Sequence, residues 1–368
     1  MKNASRFWRA AAVITSFAAI ALLVVACGGG SSTSASPGAS SPAMSDDTIL
    51  GAGASFPAPL YSKWGADYYE VSGIKLNYQS IGSGGGISAI QAKTVDFGAS
   101  DAPLDEADLD AGGLAQFPLV VGGVVLVVNI DGVADGQLRL TPEAAAGIFA
   151  GSVTRWNDPA IVDTNPDLDL PDATINVVHR SDGSGTTWIF THYLTDAAGS
   201  IWTAGADKEI AWPVGVGGKG NEGVAASVQQ LQGSIGYVEY AYAKQTGMAT
   251  AQLRNRDGAW VSPSIESFSS AAANADWNGS LPSMALVLVN QPGKETWPIT
   301  GASFILVQKD QSDAGRAKML LEFFDWCYTN GEPAATALDY VAIPEKVAEV
   351  VRSEVWSTIV SGGSPVWP

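Results

Sequence analysis

Arg180, Asp182, Ser184, Thr186 and Thr187 fall within one eight-residue stretch, RSDGSGTT (180–187). A cation and an anion two positions apart, followed by hydroxyls and glycines, suit three kinds of chemistry. They could handle a phosphoryl group, supply a hydrolase nucleophile, or simply cap a helix. A helix start leaves backbone N–H groups without intrahelical partners, and its dipole places partial positive charge there. Glycine lets a ligand approach that backbone closely and a hydroxyl adds another donor, so such a junction forms an uncharged pocket for an anion.

Two further segments share this make-up, GAGASFPAP (51–59) and IGSGGGIS (81–88). Each has small residues at the junction, a Ser at its centre and a helix candidate behind it. Asp101, in FGASDAP, ends a predicted strand, where a parallel sheet holds its ligand crevice. A carboxylate would repel a fully ionised oxyanion. An oxyanion that keeps a proton at neutral pH can instead donate a charge-assisted hydrogen bond to it. Phosphate carries such a proton and sulfate does not, so an acceptor set among donors selects phosphate. On the plainer reading Asp101 caps the turn before Pro103 and Asp182 only pairs with Arg180. For Asp182 both roles are compatible, because the pair would fix the guanidinium fork.

The elements that must position these residues alternate short apolar runs with amphipathic ones. Strands are predicted over 74–80, 95–100, 121–130 and 175–180. The third is nearly continuous in Val and Leu, as in a parallel strand covered on both faces. Helices are predicted over 57–71, 86–93, 141–150, 186–195, 223–232 and 344–360, with Thr141 as the N-cap of the third, followed by Pro142 and Glu143. This alternation implies an α/β fold with mainly parallel sheets. No long linker divides the body, so two lobes would require the chain to cross between them more than once.

Residues 1–26 read as a secretory signal: Lys2, Arg6 and Arg9 precede an apolar stretch too short to span a bilayer comfortably. The signal runs into VVAC (24–27), which resembles the bacterial lipoprotein cleavage box, with Val24 where Leu is usual. That resemblance implies lipid attachment to Cys27. Residues 27–47, rich in Gly, Ser, Ala and Pro, form a flexible tether. The formal charge of −17 becomes about −20 once the three basic residues of the signal are removed, which excludes nucleic-acid binding through a general basic surface. A recessed site with aimed donors can still take an anion. Beyond Cys27 only Cys327 remains, so no disulfide staples the body; the helical pattern LLEFFDWCYTN around Cys327 predicts a buried small hydrophobe.

GAGASFPAPLYSKWGADYY, NYQSIGSGGGISAI, VDFGASDAPL, RSDGSGTT, GVGGKGNEGVAA and IGYVEYAYAKQ together resemble the substrate-binding proteins of bacterial high-affinity phosphate ABC transporters, in order over essentially all of 48–368. The resemblance implies a two-lobed periplasmic-binding-protein fold of type II, with mainly parallel sheets flanked by helices and the ligand cleft between lobes. One lobe would comprise 48–128 and 296–368, the other 129–295, with hinged closure on one phosphate. The implied phosphate contacts are Ser55 (where the family usually has Thr), the Phe56 backbone N–H, Ser83, Asp101, Arg180 held by Asp182, Ser184, Gly185 and Thr186. His179 stays outside this set. The implied partners are a membrane permease pair and its cytoplasmic ATPase, met by a monomer anchored by lipid on the outer face of the cell membrane. Neither catalysis, cofactor nor metal is implied.

Two competing readings remain. GVGGKG (215–220) fits the dinucleotide template G-x-G-x-x-G, with Glu239 about 20 residues on, but Pro213 interrupts the preceding apolar run and an exported protein meets little NAD. A secreted phosphate-ester hydrolase could draw on Ser184, His179 or His192, and Asp182. DGSGT is not the G-x-S-x-G elbow, however, and two histidines are few for a metallophosphatase.

Overall fold

The computed structural model describes residues 47–277 and 283–368; the expected signal segment, Cys27 and the tether up to Asp46 lie outside them. Short apolar runs separated by Gly/Ser junctions give β1 (Thr48–Gly53), α1 (Ala58–Ser72), β2 (Lys75–Ser80), α2 (Ser83–Gln91), β3 (Phe97–Ser100) and the long β4 (Leu114–Asn129). β1 has β2 and β3 as parallel neighbours, with Gly53 opposite both Ser80 and Ala99. The three strands therefore finish side by side, and the turns carrying Ser55, Ser83 and Asp101 share one edge.

The pattern recurs with α3 (Pro142–Ala150), β5 (Asn176–Arg180), α4 (Gly185–Ala198), β6 (Val216–Gly218), α5 (Gly220–Gln230), β7 (Ser234–Glu239) and α6 (Tyr240–Thr246). β5 runs parallel to both β6 and β7, with Arg180 opposite Gly218. The starts of α4 and α5 thus lie at one edge too. The chain returns through β8 (Thr300–Gln308) and α7 (Ala314–Asn330). The ten-stranded sheet runs β2-β1-β3-β8-β4-β7-β5-β6, with the short strands Val341–Ala342 and Ala249–Thr250 beside β4.

The apolar run expected to be a parallel strand is β4, and its neighbours run the other way. β8 pairs antiparallel with its first part, from Gln308 opposite Leu114 to Thr300 opposite Gly123; β7 pairs antiparallel with the rest, Val124 to Asn129. Every β4 residue but Asn129 is buried. A continuous apolar run reports cover on both faces, whatever the direction of the neighbours. The partner changes at Val124, whose N–H donates to Ile299 O and whose carbonyl accepts from Trp297 Nε1. The sheet is therefore parallel in each flank and antiparallel at its centre, and β4 joins the flanks.

Four of the expected helices differ by three residues or more: α4 runs on to Ala198, α5 begins at Gly220, and two further cases have a packing reason. α2 begins three residues early, because Gly84–Gly86 disfavour helix in isolation but allow close packing: a Cβ on Gly86 would lie 2.5 Å from Gly53 Cα. The helix expected over 344–360 breaks into an α segment (Glu345–Val350), a wider turn (Val351–Val355) and a tighter one (Trp356–Thr358), with Trp356 buried against Phe117. Cys327 is buried on α7 and burial pushes its thiol up, as expected of a small hydrophobe. Among the described residues no helix is long and apolar enough to cross a membrane.

Candidate functional site

Three phenols secure the β1–α1 turn. Tyr78 donates to Ala54 O (2.7 Å), Tyr242 to Ser55 O (2.6 Å) and Tyr340 to Phe56 O (2.7 Å). With three successive carbonyls engaged, the turn has N–H groups and the Ser55 hydroxyl left to offer a ligand. The Phe56 ring, fully buried, packs edge-on against Tyr340.

The buried hydroxyls beside this turn share one hydrogen-bonding state. Ser55 Oγ accepts from Asn221 N (3.1 Å) and Asn221 Nδ2 (2.9 Å). Ser83 Oγ accepts from Gly185 N (2.9 Å) and Asp101 N (3.3 Å). Thr186 Oγ1 accepts from Asn221 Nδ2 (3.1 Å) and Arg180 Nη1 (3.3 Å). A hydroxyl has two lone pairs and one hydrogen. With both lone pairs engaged, each of these three groups can act only as a donor.

Arg180, 3% exposed, is held as a fork: Nε reaches Asp182 Oδ1 (2.8 Å) and Nη2 reaches Asp182 Oδ2 (2.6 Å). Asp182 Oδ1 also accepts from Gly220 N (3.1 Å), so it ties the start of α5 to the same fork. Burial opposes the Asp182 charge, but the hydrogen bonds and charge of Arg180, with the Gly220 N–H, hold the carboxyl below the usual carboxylate range. Of the five guanidinium N–H groups, three are committed to Asp182 and Thr186, leaving two for another acceptor.

Asp101 is the opposite kind of group. It is 1% exposed, and its Oδ1 has no hydrogen-bond partner. Burial pushes the carboxyl up to about 7, against the weaker easing of the Ser303 hydroxyl and the Arg180 guanidinium. Neither easing group bonds to Oδ1; Ser303 Oγ is itself without a partner, so its effect is one of proximity. A raised carboxyl favours the folded state below its unfolded value near 4 and loses that advantage as pH rises through 7. While Asp101 stays buried, ligand-free protein is therefore expected to lose at most about 4 kcal/mol of stability from this group between acid and mildly alkaline pH, and less to the extent that the carboxyl becomes hydrated. Thermal melts at pH 5 and pH 8 check this: Asp101→Asn should flatten the difference, and an equal pH dependence in parent and variant contradicts it.

The structure brings the expected residues together. Ser83 of one flank bonds Gly185 of the other, and Gly84 N donates to Gly183 O (3.0 Å). Only glycine fits at 185, since a Cβ there would lie 2.5 Å from Asp101 Cβ. Ser184 caps α4, its Oγ accepting from Thr187 N (3.1 Å), while its own N–H goes to Lys208 O. Ser184 therefore offers its hydroxyl hydrogen and Gly185 has its N–H engaged, which narrows what each can give. The rejected readings fare differently. His179 stacks on Trp212 and bonds the Arg180 carbonyl, His192 lies against Trp188, and among the described residues no hydrogen bond joins either to Ser184. GVGGKG does form a strand–turn–helix, but its helix start faces Ser55 and Asp182.

Asn221, fully buried, was missed by sequence reasoning, although it opens a fourth helix directed at the site. The signal available was the Gly-Asn pair after a short apolar run, the same junction chemistry as at 81–84. The three tyrosines left no local signal.

The family described as "PBP superfamily domain" matches residues 38–330. The chain is 52% identical over 307 residues to "Phosphate-binding protein PstS" of Xylella fastidiosa, covering 83% of this chain and 84% of that protein. It is 51% identical to the protein of the same name from Pasteurella multocida, covering 87% and 93%. Among solved structures, a phosphate-bound high-affinity periplasmic phosphate-binding protein (PfluDING) superposes with a TM-score of 0.70 at 21% identity, over 86% of this chain and 96% of that one, which shows the two-lobed fold. Half of the residues are shared with curated relatives over more than four-fifths of the chain, so this chain belongs to the PstS family of phosphate-binding proteins, within the PBP superfamily.

Proposed function

We propose that this protein captures inorganic phosphate outside the cytoplasm and delivers it to an ABC transporter, closing two lobes over the ion. One observation carries the reading: three buried hydroxyls are confined to donating, while the buried Asp101 Oδ1 beside them lacks a donor. A ligand that satisfies both must present several acceptor oxygens and one hydrogen. Hydrogenphosphate does. The contacts follow from the groups left over: the Ser55, Ser83, Ser184 and Thr186 hydroxyls, the Phe56 N–H and the two remaining Arg180 N–H groups donate. Asp101 accepts the ligand's proton, and Gly185 contributes close approach while its N–H keeps Ser83 loaded.

The lobes we assign are 48–128 with 296–368, and 129–295. Separating them would rehydrate Asp101 and relieve the cost of its burial, so the ligand-free protein is drawn towards an open state and phosphate towards a closed one. We assign the partners as a permease pair with its ATPase, and the location as the outer face of the cell membrane, where lipid on Cys27 would hold a monomer. We assign no catalysis; among the described residues His179 bonds the Arg180 carbonyl, His192 lies against Trp188, and neither hydrogen-bonds Ser184.

Purified protein, freed of bound phosphate, is expected to bind a single phosphate per chain in calorimetry. Its intrinsic fluorescence should change as the lobes, which carry many of the 12 tryptophans, close. Sulfate should bind far more weakly. Steady hydrolysis of a phosphate ester, or no heat with phosphate, would overturn the proposal.

A further inference from the structure

We infer that Asn221 is a positioning residue that sets the hydrogen-bonding polarity of the site; the inference rests on the phosphate reading above. Asn221 supplies three of the six hydrogen bonds that load the Ser55, Ser83 and Thr186 hydroxyls. Its amide reaches both walls at once: Ser55 belongs to the β1–α1 turn, Thr186 to the first turn of α4. A hydroxyl with a free lone pair could turn it towards an anion and repel it. One whose lone pairs are both taken must aim its hydrogen at the remaining acceptor.

The amide cannot be turned over. Asn221 Oδ1 accepts from the Glu239 backbone N–H (2.9 Å), so exchanging oxygen and nitrogen would set two donors face to face. Glu239 is itself fixed, because its Oε2 takes Ala241 N (2.9 Å) and meets Tyr340 Oη (2.8 Å), the phenol that also holds Phe56 O. The path from Glu239 through Asn221 to Ser55 and Thr186 therefore imposes one direction on every hydrogen bond. Arg180 and Asp101 supply charge and selection; Asn221 makes two neutral hydroxyls behave as obligatory donors.

Asn221→Asp tests this because it keeps the shape and the Glu239 contact but turns the donor end into an acceptor, which would draw both hydroxyl hydrogens away from the ligand. Asn221→Ala only frees them. Inorganic phosphate is titrated calorimetrically into the protein and both variants at pH 5 and pH 8, with thermal melting to confirm folding. The Ala variant should bind about tenfold more weakly at both pH values, and the Asp variant about a hundredfold more weakly at pH 8. At pH 5 the new carboxyl takes up a proton and regains a donor, so the Asp variant should recover towards the Ala variant. Each affinity is divided by the parent's at the same pH, which cancels titration of the ligand and of the facing Asp101 and Glu239 carboxyls, while the Arg180–Asp182 pair faces the site in all three proteins. A purely structural role would leave these ratios unchanged with pH. Variants within twofold of the parent, or an Asp variant no weaker than Ala with a flat profile, overturn the inference alone. A parent that does not bind phosphate overturns the ligand reading, and this inference falls with it.

Discussion

Asp101→Asn is expected to compress the preference for phosphate over sulfate by about a hundredfold, through weaker phosphate binding and stronger sulfate binding together. In the parent at pH 8, where Asp101 is mostly ionised, the buried and unpartnered Oδ1 can only accept, so a sulfate oxygen placed there meets a carboxylate and nothing to share. Leaving a buried charged acceptor unsatisfied costs about 3 kcal/mol, and each 1.4 kcal/mol is about tenfold in affinity. Asparagine has the same shape but can turn an N–H₂ towards either anion. It removes the repulsion that rejects sulfate and also the charge-assisted bond that rewards the phosphate proton. Parallel calorimetric titrations with the two ions at pH 8 measure the ratio directly. An unchanged ratio in a folded variant would mean that discrimination arises elsewhere, for instance from cavity size.

The second large effect is expected at Arg180, and it differs in kind. Arg180→Met keeps most of the buried volume but removes the cation, the two N–H groups still available to a ligand and the donor that loads Thr186. Truncating one member of a buried, hydrogen-bonded charge pair costs about 2–5 kcal/mol, so phosphate should bind roughly a thousandfold more weakly. The loss should fall on phosphate and sulfate alike, because the guanidinium reads negative charge and geometry but not protonation. Arg180→Lys should fall between parent and Met, since a compact ammonium restores charge without the fork that Asp182 holds. The same titrations decide it, and Arg180→Met binding within tenfold of the parent would remove Arg180 from the site. Together the two variants separate affinity from selectivity, with Arg180 carrying the first and Asp101 the second.

What the sequence made legible was local. RSDGSGTT encodes a helix cap and an ion pair within eight residues, and the structure has both: Ser184 on Thr187 N, and Arg180 forked onto Asp182. The Ser and Gly junctions at 51–59 and 81–88 were readable for the same reason. Asn221 was not, because its partner hydroxyls lie 166 and 35 residues away in the chain. Nor were Tyr78, Tyr242 and Tyr340, since a tyrosine within an apolar run reads as core whether or not its hydroxyl holds a loop. The direction of the strands beside β4 was equally hidden, because hydrophobicity records burial and carries no arrow.

The sequence alone thus determined the parts: helix starts built of Gly, Ser and Asp, an arginine paired at short range, an aspartate at a strand end, and alternation that requires an α/β sheet. These depend on neighbours within one turn of chain, where propensity and capping act. Only the tertiary structure decided how the parts act together. β4 brings two parallel flanks to a common sheet, and their junctions meet where Ser55, Ser83 and Thr186 each take at least one hydrogen bond from a distant segment. A hydroxyl in isolation both donates and accepts, so its direction is a property of the assembled fold, and that direction is what our proposal of a site for a protonated oxyanion rests on.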